Sequence, residues 1–360
     1  CGVDQSYKRA WISSTKSIQI ITIAGLLYFG NLGYYFNVHK STSSYFYIFS
    51  ILIMKKYLLY TMLFIIPIWI VLLGADDSLS HRIRCANSSF SQPLYDMYNV
   101  TDSFDILICG NSRASVQYNP FILDSILECN SYNLGYDGCA VNIQLVKYEQ
   151  WCKHHSNPKY IIYNIDLWTM NETRGNNREQ IFPYFTMDRN LMKKMDIYHD
   201  YTIAEKFIPF SRYIGHKNMI EGVLVDSISF YKGYYGFDWE WQQTNVRHNQ
   251  DLYKCACDSN MIELFCDFIE KQQVKNIEIL FVYAPMFHTI LKNSPDIQKM
   301  YDMYGNIANQ YNIAILDYNT EIMCQDSTLF YNKMHLNQTG SELFTTKLAH
   351  DIDSIGFLEN

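Results

Sequence analysis

Two short stretches carry side chains whose types and spacing could do chemistry together. The first is Phe104–Ser115, FDILICGNSRAS, in which an apolar run of strand type stops at Gly110 and Ser112 follows two residues later. A strand that ends in Gly-x-Ser delivers a hydroxyl to the carboxyl edge of a sheet, where α/β proteins keep their chemistry. The second is Asp326–Gly340, DSTLFYNKMHLNQTG, which carries His335 just ahead of a helical pattern. A serine hydroxyl is a weak nucleophile until a base takes its proton, and an imidazole is the commonest such base. Ser112 and His335 therefore suit covalent acyl transfer. A third group has to hold the imidazole, and three candidates lie near: Asn332, Asp326 and Asp317. Arg113 beside the serine is placed to meet an anionic substrate, and His288 follows an apolar run at the same predicted edge.

The elements that must position these residues read as alternating strands and helices. Strands are predicted at Phe104–Cys109, Tyr132–Leu134, Tyr160–Leu167, Ile277–Ala284 and Ile313–Leu316. Helices are predicted from Pro120 to about Cys129, and over Val141–Lys153, Met261–Gln273, about 294–311 and Gln338–Ile352. That alternation predicts an α/β fold, a three-layer, flavodoxin-like sheet of five parallel strands covered on both faces. A long insertion, roughly residues 169–255, follows the third strand. It is rich in aromatics, with FPYF at 182–185, FIPFSRYIGH at 207–216 and FYKGYYGFDWEW at 230–241. Tyrosine and tryptophan faces pack on sugar rings while carboxylates bond hydroxyls. Trp239 and Trp241, beside Asp238 and Glu240, are the candidate glycan contacts.

Composition narrows the setting. Only 18% of the residues are charged and 48% are hydrophobic, with 30 Tyr, 21 Phe and 6 Trp. Net charge is −7 without a basic tract, which argues against a nucleic-acid partner. The ten cysteines include no C-x-x-C pair, and Cys255-Ala-Cys257 lacks the partners of a zinc site, so no metal or cofactor is expected. Met54-Lys55-Lys56 precedes Tyr57–Gly74, 18 residues without a charge, and Asp76-Asp77 follows. At about 1.5 Å per residue that run just spans a bilayer core, and the lysines place its amino end inside. Residues 54–75 are thus expected to be a transmembrane anchor, 76–102 a polar irregular stalk, and 103–355 an extracytoplasmic domain. Residues 1–53 read as an apolar extension of unsettled role. The expectation is that the functional protein begins near Met54.

Taken together, the two chemical stretches resemble the SGNH (GDSL-like) hydrolase superfamily. Gly110-Asn111-Ser112 is similar to its first block and Asn332-x-x-His335 to its last, with Asn332 where the family has aspartate. Asn133-Leu134-Gly135-Tyr136-Asp137-Gly138 is similar to the second block. The third block departs: its oxyanion asparagine would fall on Ile165, while Asp166 matches its aspartate. The resemblance covers residues 103–355 and is nearest to membrane-anchored proteins of bacterial envelope-polysaccharide loci. It implies Ser112 as nucleophile, His335 as base, and the backbone N–H groups of Ser112 and Gly135 as oxyanion donors. Arg113, Asp166, His288, Trp239 and Trp241 would meet substrate. It further implies a serine esterase or O-acyltransferase acting on a cell-surface glycan, with an acyl donor and a membrane-bound acyl-transfer partner. The rival expectation is a non-catalytic glycan-binding or polysaccharide-assembly protein that keeps the fold.

Overall fold

A computed structural model describes residues 43–85, 92–170, 203–215, 231–241, 257–294 and 296–359. The chain divides into two units, one ending at Val71 and the other Leu72–Asn360, and the candidate site lies wholly in the second. Helix α1, Ser43–Cys85, is 43 residues long and includes Pro67. Its Phe49–Arg82 portion is long and apolar enough to cross a membrane. The apolar run predicted at 57–74 lies within this helix, which continues past the Asp76-Asp77 pair instead of giving way to a stalk. Charges end the apolar stretch without ending the helix, because the backbone hydrogen bonds do not depend on side-chain polarity. Asp76 and Ser80 are buried, the first accepting from Phe210 N at 3.0 Å and the second meeting Tyr213 Oη at 2.6 Å. Residues of the expected stalk also form α2, Gln92–Asn99, whose Met97 is buried in the core.

The sheet of the second unit is built on β1 (Ile106–Cys109), β2 (Ser131–Asn133), β3 (Tyr160–Asn164), β4 (Glu278–Tyr283) and β5 (Ala314–Asp317). All neighbours are parallel, in the order β2-β1-β3-β4-β5. Parallel strands buried on both faces need continuous apolar runs, which ILIC, YIIYN and EILFVY supply. Alternate residues feed opposite faces. Leu107, Ile161 and Phe281 join one core, under α5 (Val141–Trp151), α7 (Ser259–Val274) and α9 (Ile297–Tyr311). Ile106, Ile162 and Val282 join the other, under α3 (Ser112–Gln117), α4 (Pro120–Leu127) and α10 (Gln338–Ser354). The result is the three-layer sheet that the pattern predicts.

Between β3 and α7 the described part of the insertion consists of a short helix, α6 (Ile203–Phe207), a 3₁₀ turn at Ser211–Tyr213, and the segment 231–241. FPYF lies outside the described residues. After β4 comes α8, His288–Lys292, and after β5 a small antiparallel hairpin of β6 (Phe330–Asn332) and β7 (His335–Leu336). The predicted third strand ends early. Asp166 Oδ1 accepts from Trp168 N and Thr169 N, which turns the chain out of the sheet after Asn164.

Candidate active site

Ser112 is the first residue of α3, the six-residue helix that leaves β1. Gly110 makes the exit possible. Its φ is +145°, and a Cβ there would stand 2.8 Å from Ala114 Cβ and 2.9 Å from Asn164 Cβ. Asn111 caps the helix by accepting from Arg113 N at 3.1 Å, which leaves Ser112 N–H as a first-turn donor without a carbonyl one turn back.

His335 arrives on the β6–β7 hairpin, and its Nε2 lies 2.8 Å from Ser112 Oγ. Its Nδ1 lies 3.0 Å from Asn332 Oδ1. The orientation of that amide is fixed independently, because Oδ1 also accepts from Met334 N at 2.8 Å and His335 N at 3.0 Å. An acceptor facing Nδ1 puts the ring proton there and leaves Nε2 as the acceptor for the serine hydroxyl, the tautomer a general base needs. Burial, with the Arg113 cation adding to it, holds the imidazole down at about 3 from its ordinary 6.5. The other two candidates stand elsewhere. Asp326 caps a 3₁₀ turn through Thr328, and Asp317 accepts from Asn319 N.

Gly135 does not stand where the sequence blocks imply. Its N–H is committed to Asn133 Oδ1 at 2.8 Å, and a Cβ on it would meet Ser115 N at 2.2 Å. The residue is glycine so that the loop after β2 can press against the backbone of α3. Gly138 and Cys139 border the pocket instead. That pocket, about 200 Å³, is lined by Asn111, Ser112, Arg113, Gly138, Cys139, Trp168, Met334 and His335. Trp168 and Met334 escaped the sequence reading because neither belongs to a chemical residue type.

Arg113 and Asp166 serve the frame beneath the pocket. The guanidinium is buried, donates to Ala284 O, and lies 4.0 Å from Asp166 Oδ2. Burial works against its charge and Asp166 works for it. Asp166 also accepts from Asn111 Nδ2, so one carboxylate ties the helix cap, the arginine and the turn after β3 together. Asn164 is turned to Tyr118, whose hydroxyl donates to its Oδ1 at 2.9 Å. His288 is exposed, with Nδ1 near Cys324 O, and is not part of the pocket lining. Trp241 packs on Phe287 at 4.7 Å. Trp239 stands among the rings next to His335: it meets Tyr331 at 5.6 Å, and Tyr331 stacks on the imidazole at 5.3 Å with 5° between the planes. Among the described residues no group of three or more His, Cys, Asp or Glu is placed to hold a metal ion.

Lys147 is a buried cation that the sequence did not single out. It donates to Gly135 O at 3.2 Å and lies 4.7 Å from the centre of the Tyr136 ring. Desolvation lowers it to about 8.

No family model and no curated protein sequence matches the chain. Among solved structures it is similar to the acetyl xylan esterase AlAXEase, with a TM-score of 0.37 and 10% identity over 69% of this chain and 98% of that one. It is also similar to a member of the lipolytic protein G-D-S-L family from Veillonella parvula DSM 2008, with a TM-score of 0.33 and 14% identity over 68% of this chain and 96% of that one. With Ser112 leaving the first strand of a five-stranded parallel sheet and His335 entering just before the last helix, the fold is a three-layer α/β sheet that brings the two side chains together at one edge.

Proposed function

We propose that the protein is a membrane-anchored serine esterase or O-acyltransferase whose domain lies outside the cytoplasm and acts on a cell-surface glycan. The observation that carries the chemistry is the 2.8 Å contact of Ser112 Oγ with His335 Nε2, backed by Asn332 on Nδ1. Ser112 Oγ attacks the acyl carbonyl as its proton passes to Nε2, giving a tetrahedral oxyanion beside Ser112 N–H. Collapse breaks the bond to the alcohol oxygen, which leaves with the proton from Nε2. The acyl-serine then passes its acyl group to water or to a sugar hydroxyl that His335 deprotonates, and Ser112 recovers its proton. The anchoring and the outward orientation are supported by helix α1 and by the lysines before its apolar run. An anchored domain can draw its acyl group from a membrane-bound partner.

The test uses full-length protein in detergent with p-nitrophenyl acetate and a fluorophosphonate probe. Turnover and labelling should both vanish in Ser112→Ala. Undiminished turnover in that variant removes the proposal.

A second reading is favoured by one observation. An imidazole held at about 3, with a neutral amide behind it, is a weak base. The protein would then bind a glycan or serve polysaccharide assembly without turnover, and wild-type protein would neither label nor hydrolyse the ester.

A further inference from the structure

Proton transfer determines which side of the catalytic pair the alcohol occupies. The departing oxygen takes its proton from His335 Nε2, so the group that bears it lies on the histidine side while the acyl group enters the pocket beside Gly138, Trp168 and Met334. The histidine side is walled by rings. Tyr331 stacks on His335, and Phe237 and Trp239 meet Tyr331 at 5.1 and 5.6 Å. Trp239 keeps 52% of its surface exposed, although Phe237 touches it at 4.5 Å.

These rings are held out by polar attachments rather than gathered into a core. Lys232 Nζ donates to Asp124 and Asn130, and Asn133 N donates to Lys232 O at 2.9 Å. Tyr234 Oη meets Ser341 Oγ at 2.5 Å, and Gln338 N donates to Phe237 O at 2.8 Å. The attachments fix 232–237 to α4, to β2 and the residue before it, and to the start of α10. Asp238 and Glu240, both exposed, flank Trp239 in the chain.

We propose that Trp239 and Tyr331 form a subsite for the pyranose ring that bears the ester or accepts the acyl group, with the exposed carboxylates of Asp238 and Glu240, next along the chain, to receive its hydroxyls. This rests on the reading that the alcohol leaves through His335. A sugar presents C–H faces to a π surface and hydroxyls to acceptors around it, and this patch offers both.

The test is binding of xylohexaose, mannohexaose and chitohexaose to full-length Ser112→Ala protein in detergent, followed by calorimetry. At least one sugar should bind, and Trp239→Ala in the same background should weaken it tenfold or more. Trp239→Phe, which keeps a ring, should restore most of the loss and shows that the alanine variant is not merely misfolded. Ile322→Ala, at a position 83% exposed, is the surface control and should bind as the parent does. Binding by none of the three sugars, indifference to Trp239→Ala, or displacement by phosphatidylglycerol vesicles overturns the subsite. Turnover of p-nitrophenyl acetate without Trp239-dependent sugar binding removes the subsite and leaves the esterase. Trp239-dependent binding without turnover does the reverse.

Discussion

Replacing Asn332 by aspartate puts a charge where the structure has a neutral amide. Asn332 Oδ1 already stands 3.0 Å from His335 Nδ1, and the two backbone N–H groups it accepts from would hold a carboxylate in the same place. Two unit charges roughly 4 Å apart attract by about 4 kcal/mol at an effective dielectric of ~20, which corresponds to about three tenfold steps in proton affinity. Part of that is lost to desolvating the new carboxylate, leaving roughly two to three steps. The imidazole should therefore rise from about 3 toward its ordinary 6.5. The assay is kcat/KM for p-nitrophenyl acetate between about pH 3 and pH 9. The base acts in its neutral form, so the acid limb of the variant should lie roughly two to three pH units above that of the parent. With a Brønsted slope near 0.5, the rate on the alkaline plateau should rise about 10- to 30-fold. An acid limb that stays in place, or a plateau that does not rise, refutes the assignment of Asn332 as the group that supports His335.

Three further outcomes follow from the geometry. Gly135→Ala forces a Cβ to within 2.2 Å of Ser115 N, and overpacking of that kind costs about 1–3 kcal/mol or more, read as a lower chemical-denaturation midpoint together with lost ester turnover. Asp166→Ala leaves the buried Arg113 without its carboxylate, a loss of about 3–5 kcal/mol in the same experiment, and Asp166→Asn should recover only part of it. His335 titrates at about 3 when folded and near 6.5 when unfolded, so the unfolded chain takes up the proton first. Stability is therefore fully present above pH 6.5 and falls toward pH 3, by at most about 1.4 kcal/mol per unit from this group, and His335→Gln should flatten that part of the profile.

The sheet was legible because buried parallel strands must be apolar throughout, and Ile106–Cys109 and Glu278–Tyr283 have few other ways to be satisfied. Ser112 and His335 were legible because each follows or precedes an element whose end is marked, Gly110 for the serine and the α10 pattern for the histidine. The role of Gly135 was not. A glycine in a loop looks the same whether it frees an N–H or permits a close approach, and only the 2.2 Å clearance to Ser115 N separates the two. Residues 76–102 were misread as irregular because polarity marks solvent, not the end of a helix. Trp168 and Met334 reach the pocket through the turn that Asp166 makes and through the β6–β7 hairpin, long-range placements that no local pattern records.

The serine and the histidine that meet at 2.8 Å are 223 positions apart in the chain. Closing so large a loop comes late in folding, because the entropy it costs is repaid only when strands and helices are already paired around it. The contact therefore belongs to the same stage as the packing of α10 on α3, where the hydrogen bond from Thr345 to Gln117 spans 228 positions. Recovery of ester turnover during refolding should lag the return of secondary structure, which makes the Ser112–His335 contact a built-in reporter of whether the whole domain has closed.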